Sequence, residues 1–142
     1  MTLKNEKTLK EKIMDEMSIS YANALEKNFE IAKKYIRITS EGKVHLPSKE
    51  MLTGKDQILL YLIGKIYAKE AGLTIEISVT NDELATELGI PTGSLLPWLK
   101  ELRDKNQIKT MKKGKYVSHQ IQINIIEKIL NNIDKKLKKK AE

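Results

Sequence analysis

Lys109, Lys112, Lys113 and Lys115 crowd around Gly114 in a sequence otherwise poor in groups able to do covalent chemistry. Ammonium groups at that density suit a polyanion. Each can contact a phosphate, which contributes affinity that carries no sequence information. A Lys-rich turn kept for solubility is the plainer alternative. Lys100, Arg103 and Lys105, just upstream, favour phosphate contact. Other chemistries find no residues. The chain has no cysteine, which excludes disulfides, thiolate nucleophiles and Cys-based zinc sites. Neither His45 nor His119 stands at metal-ligating spacing from other donors, and each reads as structural. Ser and His occur without a nucleophile elbow or other triad motif. Thr53-Gly54-Lys55 resembles part of a phosphate-cradling loop. However, no Gly stands five residues before Gly54, and Asp56 replaces the hydroxyl that would bind magnesium. The expectation is a protein without catalytic residues, metal, cofactor or small-molecule ligand.

The placement of charge supports the polyanion reading. The net charge of the 142 residues is +7. Residues 100–142 carry 13 Lys or Arg and 5 Asp or Glu, a net of +8, so residues 1–99 are nearly neutral. Such asymmetry suits a nucleic-acid partner. For Lys135 to Lys140 alone, a solvated tail is an equally good account. With 40% hydrophobic and 32% charged residues, the chain can bury a core and need not be disordered. The longest apolar run, Ile58 to Ile63, is far too short to span a membrane. Met1 to Lys12 is charged and lacks the apolar stretch of a signal peptide. These features point to the cytoplasm and to no membrane partner.

Periodicity supplies the elements that position the lysines. Leu9, Ile13, Met17, Tyr21 and Leu25 follow at i+4, and Ala24, Phe29, Ala32 and Tyr35 continue the stripe. One long amphipathic helix over 8–35 is expected. Ile36/Ile38 and Val44/Leu46 alternate around Ser40-Glu41-Gly42, a small β-hairpin with Gly42 at positive φ, and Pro47 ends its second strand. Thr53 caps a helix that buries Leu59, Leu60, Leu62, Ile63, Ile66 and Tyr67 and stops at Gly72, while Gly64 within it permits a close helix crossing. Ile75, Ile77 and Val79 alternate as a short strand. Thr80 and Glu83 form a capping box and Val79 and Leu84 a hydrophobic staple for a short helix ending at Gly89. A helix near Thr92 to Asn106 turns Leu95, Trp98, Leu99 and Leu102 inward. Then come strands from Ile108 to Lys112 and from Tyr116 to Ile123, and a last helix with Ile126, Ile129, Leu130, Ile133 and Leu137.

The stretch Val79-Thr80-Asn81-Asp82-Glu83-Leu84-Ala85-Thr86-Glu87-Leu88-Gly89-Ile90, followed by Thr92-Gly93-Ser94-Leu95-Leu96-Pro97-Trp98-Leu99-Lys100-Glu101-Leu102, resembles the winged helix-turn-helix DNA-binding superfamily. Asn106-Gln107-Ile108 stands where that family has a Gly entering its wing. The fold class implied is α+β, mostly helical: an N-terminal helix and hairpin over 1–50, a winged-helix domain over 51–123, and a C-terminal helix with a basic tail over 124–142. The resemblance implies that the second helix enters a major groove. Its contact positions map to Thr92, Ser94, Leu96, Pro97, Lys100 and Arg103, with Lys112, Lys113 and Lys115 of the wing on the backbone. Two departures stand out. The exposed face of the first two turns has no Arg, Asn or Gln to read base edges. Pro97 costs a helical hydrogen bond unless the helix starts as late as Ser94.

The function expected is duplex-DNA binding by a transcriptional regulator or a DNA-maintenance accessory factor. Phosphate contacts would dominate, and the terminal helices would form a homodimer. The alternatives are a winged-helix protein-interaction module, with Leu96 and Pro97 in the contact, and RNA binding, which few exposed aromatics would serve.

Overall fold

The computed structural model describes residues 6–18 and 21–141, the side chains of Tyr21 and Ala141 excepted. The chain is α+β and mostly helical. Its elements run α1 (Leu9–Lys12, continued by a π-helical turn Ile13–Met17), α2 (Tyr21–Lys27), α3 (Phe29–Tyr35), β1 (Arg37–Ile38), β2 (Val44–His45), α4 (Gly54–Glu70), β3 (Val79–Thr80), α5 (Asn81–Leu88), α6 (Thr92–Asp104), β4 (Ile108–Lys113), β5 (Tyr116–Ile121) and α7 (Ile126–Ala141). Antiparallel β1 and β2 pair alone, and β3, β5 and β4 form a second antiparallel sheet in that order.

Helix α4 is the axis of the molecule. Its run from Ile58 to Gly64 is buried on every side, as is expected of a helix apolar all round. The β1–β2 hairpin, α2, α5, α6, α7 and β5 all pack on it. Leu25, Tyr35 and Leu46 share one hydrophobic cluster with Leu84, Leu95, Leu99 and Ile121 and with Ile126, Leu130 and Ile133. Segments 1–50, 51–123 and 124–142 therefore contribute to a single core. Gly64 allows a close approach, but of the hairpin and not of a helix: a Cβ there would lie 2.6 Å from Val44 Cγ1. The helix stops in a Schellman motif. Gly72 takes φ +76°, Leu73 N–H donates to Ala68 C=O, and Gly72 N–H donates to Lys69 C=O.

The caps form where expected, with their acids diverted. Thr53 Oγ1 accepts from Asp56 N–H, and Thr80 Oγ1 accepts from Glu83 N–H. Neither acid closes a capping box. The Asp56 carboxylate holds Lys136 of α7 at 2.6 Å. Glu83 Oε2 accepts from Tyr61 O–H at 2.6 Å and meets Lys65 at 3.3 Å, both on α4. Tertiary partners outbid the local bond, and the two caps double as joints between helices.

The single helix expected over 8–35 is interrupted. Ser18 is extended (φ −81°, ψ 147°) and its hydroxyl donates to Met14 C=O. Residues 19 and 20 and the side chain of Tyr21 lie outside the described part. At Asn28 (φ −104°, ψ 11°) the side chain donates to Ala24 C=O at 2.8 Å, and a separate helix, α3, starts at Phe29. Short polar side chains compete here for helix carbonyls. Leu9, Ile13, Met14 and Met17 are left exposed. The strand expected from Ile75 shortens to Val79–Thr80, and Ile75 is almost fully exposed, because only Val79 and Thr80 find a partner, on β5. Nor does α7 offer its apolar face to another chain: Ile126, Ile129, Leu130, Ile133 and Leu137 are all buried in this one.

Helix α7 is clasped to the rest by polar contacts. Tyr35 donates to a buried Asp134, which also meets Lys34 at 3.6 Å and Lys138 at 3.1 Å. The Tyr35 hydrogen bond, together with these lysines, holds the Asp134 carboxyl below its usual range. Burial, and then the carboxylate, push the Tyr35 phenol up to about 12. Lys140 donates to Met51 C=O at 3.0 Å, so the Lys-rich end is partly spent on structure.

Candidate functional site

Helix α6 begins directly after Pro91, which supplies no side-chain cap. Leu95, Leu99 and Leu102 anchor it in the core. Trp98 is half-buried, and its ring lies over Gly54, where a Cβ would come within 2.1 Å of Cζ3. This contact gives Gly54 a packing role at the start of α4, which accounts for the Gly in Thr53-Gly54-Lys55. The helix starts at Thr92 and not at Ser94, so Pro97 stands inside it. Its ring is exposed and faces away from the core. The carbonyl four residues earlier belongs to Gly93, which is also exposed, so water can satisfy it.

After α6 the chain reverses at Asn106, which takes φ +58°. Asn tolerates this left-handed conformation better than other non-glycine residues. It stands where the resemblance expects Gly. Strands β4 and β5 then pair from Ile108↔Ile121 to Lys113↔Tyr116, with Gly114 at φ +58° in the tip.

Between α6 and this hairpin lies an open groove of about 720 Å³. Leu96, Pro97, Lys100 and Arg103 line it from the helix, and Lys112 and Val117 from the hairpin. Five of the nine residues expected in the site therefore meet in one place: Leu96, Pro97, Lys100, Arg103 and Lys112. The other four do not line the groove. Thr92 and Ser94 sit in the first turn of α6, outside the groove lining, and Lys113 and Lys115 stand at the exposed hairpin tip. Lys105, also considered as a basic neighbour, faces a different pocket and pairs with Glu101 at 3.4 Å.

Among the described residues, Lys109, Lys112, Lys113 and Lys115 form no ion pair. Lys113 nevertheless helps to lower the Glu76 carboxyl, whose main cause is the backbone hydrogen bond from Ser78. Lys100 meets Asp104 at 3.8 Å, a long pair with both side chains in water, which contributes little. The basic groups thus keep most of their charge for a partner. Helix α5, by contrast, exposes Asp82 and Glu87, so around this groove the positive charge comes from α6 and the hairpin.

Three residues of the groove floor were not among the site residues expected from sequence: Asn81, Thr110 and His119, the last of which reads there as structural. His119 is buried, 1% exposed. Its Nδ1 lies 2.9 Å from Thr110 Oγ1 and its Nε2 lies 2.6 Å from Asn81 Oδ1. An amide oxygen only accepts, so Nε2 carries the proton and donates, and Nδ1 accepts from the Thr110 hydroxyl. Burial, and then the Arg103 guanidinium, lower the imidazole to about 4. His119 is therefore neutral at pH 7. It ties β5 to β4 and to the first residue of α5. The inward phase of His119, between Val117 and Ile121, was the only sequence signal for this triad. Nothing in the pattern marked Asn81 or Thr110 as its partners.

Among the described residues no three His, Cys, Asp or Glu side chains gather as a metal set, and no helix is long and apolar enough to cross a membrane. Neither family models, nor the curated proteins, nor the solved structures yield a match to this chain.

Proposed function

We propose that this protein is a winged helix that binds duplex DNA, with α6 in the major groove and the β4–β5 hairpin as a wing on the backbone. The observation that carries the reading is the groove between α6 and the hairpin, with Lys100, Arg103 and Lys112 on its walls and unpaired lysines at the hairpin tip. The order of α4, β3, α5, α6, β4 and β5 supports the fold. Basic groups on both walls of the groove and at the hairpin tip suit phosphates, and such contacts give affinity with little sequence preference. A regulator or DNA-maintenance accessory factor of the cytoplasm is the role this implies.

The test is a titration of random 20-bp duplex against the wild-type chain and Leu96→Glu, at several salt concentrations. Leu96 is 49% exposed, so the substitution leaves the core intact. Its carboxylate would enter the negative potential of the major groove. Binding that falls with salt in the wild type and weakens in the variant is the expected result. A folded variant with full affinity means that α6 does not enter the groove. Leu96 and Pro97 would then serve a protein contact, the competing reading.

The reading includes a homodimer, as most two-fold DNA readers are. With the apolar face of α7 already used, the support comes from Leu9, Ile13, Met14 and Met17, four exposed apolar side chains on one short segment. Sedimentation of the full chain should give twice the mass of one 16.3 kDa chain, and Leu9→Ser with Met17→Ser should halve it. A wild-type chain that stays monomeric at high micromolar concentration overturns the dimer.

A further inference from the structure

We infer that α6 reads thymine through its C5-methyl group, so that the preferred ligand is A·T-rich duplex DNA; this rests on the DNA-binding reading above. Major-groove readout normally needs long donors and acceptors on the first two turns of the helix. Here those turns expose Thr92, Leu96 and Pro97, none of them a long donor or acceptor, and Gly93 has no side chain, with nothing within 4 Å of where its Cβ would be. A helix bare at 93 and capped by two compact apolar groups can lie close to the base edges. Across the groove Val117 supplies a third apolar group. On the floor, both ring nitrogens of His119 are taken, by Thr110 and Asn81. The long donors, Lys100 and Arg103, stand in the third and fourth turns of α6, beyond Leu96 and Pro97. The apolar groups on this face, Leu96, Pro97 and Val117, match one discriminating feature of the major groove. That feature is the methyl group that thymine has and cytosine lacks.

Removing that methyl tests the inference directly. A duplex with uracil in place of thymine keeps every hydrogen-bonding group of the major groove and loses only the methyls. Fluorescence titrations should compare one 20-bp A·T-rich sequence in its thymine and uracil forms, a G·C-rich duplex, and that duplex with 5-methylcytosine. The wild-type chain should bind the thymine form tighter than the uracil form by about threefold to fivefold for each methyl buried. Methylation of cytosine should recover part of the loss. Leu96→Ala should bring the thymine and uracil affinities together while keeping the salt dependence. If the wild type binds both forms equally, or Leu96→Ala keeps the difference, the methyl reading is overturned and DNA binding through phosphates stands. If no duplex is bound at any salt concentration, both readings fall.

Discussion

Replacing Lys112, Lys113 and Lys115 with Gln should weaken binding to any duplex on the order of 10²-fold near 0.1 M salt. Each lysine that neutralises a phosphate releases close to one counterion, so three contacts contribute a slope of about 2.7 in log affinity against log salt. The three are exposed and unpaired, and they lie on the lip and tip of the hairpin. Their removal therefore sacrifices no structural ion pair, and circular dichroism should be unchanged. The loss should be uniform across sequences, because phosphates carry no base identity. A triple variant with the wild-type salt slope would show that the hairpin does not touch nucleic acid. A parallel triple change of Lys135, Lys138 and Lys139 serves as the control. Those residues lie on α7, away from the groove, and their removal should shift the slope far less.

Acid should loosen the fold through His119. Its imidazole titrates near 4 in the folded chain and near 6.5 when unfolded. The unfolded chain binds the extra proton between those values, so stability rises with pH across that window. The contribution is complete above about pH 6.5 and drains away as pH falls towards 4, a loss of about 3 kcal/mol. Urea unfolding of the wild type and His119→Gln at pH 7.5, 5.5 and 4.5 measures it. Asp134, Glu76 and Glu101 also have lowered carboxyls, and their contributions fail as pH drops through the carboxylate range. The variant keeps those groups, so the difference between the two chains isolates the imidazole. Equal acid dependence of both would show that His119 is not buried neutral between Asn81 and Thr110.

The helices that pack by rhythm were legible in the sequence, and the joints between them were not. Leu95, Leu99 and Leu102 repeat at helical spacing, and Thr53, Thr80, Gly72 and Gly89 mark ends by chemistry local to each residue. Local chemistry misleads when a distant partner competes. Glu83 fits a capping box by spacing, yet Tyr61 and Lys65 take its carboxylate. The stripe over 8–35 is periodic enough for one helix, yet Ser18 and Asn28 divert carbonyls at two points that a hydrophobic pattern does not register. In the site, the basic residues were legible because charge clusters along the chain. Asn81, Thr110 and His119 are scattered over 38 positions, and only the pairing of β5 with β3 and β4 brings them together.

The joint between Tyr35 and Asp134 closes a loop of 99 residues, and Lys136 and Lys140 tie the same helix back to Asp56 and Met51. Contacts so distant in sequence form late and slow the search for the native state. They also set an order of assembly during synthesis. Until residues 126–137 have left the ribosome, one flank of α4 lies open, with Leu59 and its neighbours wetted. Nascent chains that stop short of α7 should accordingly be protease-sensitive and sticky.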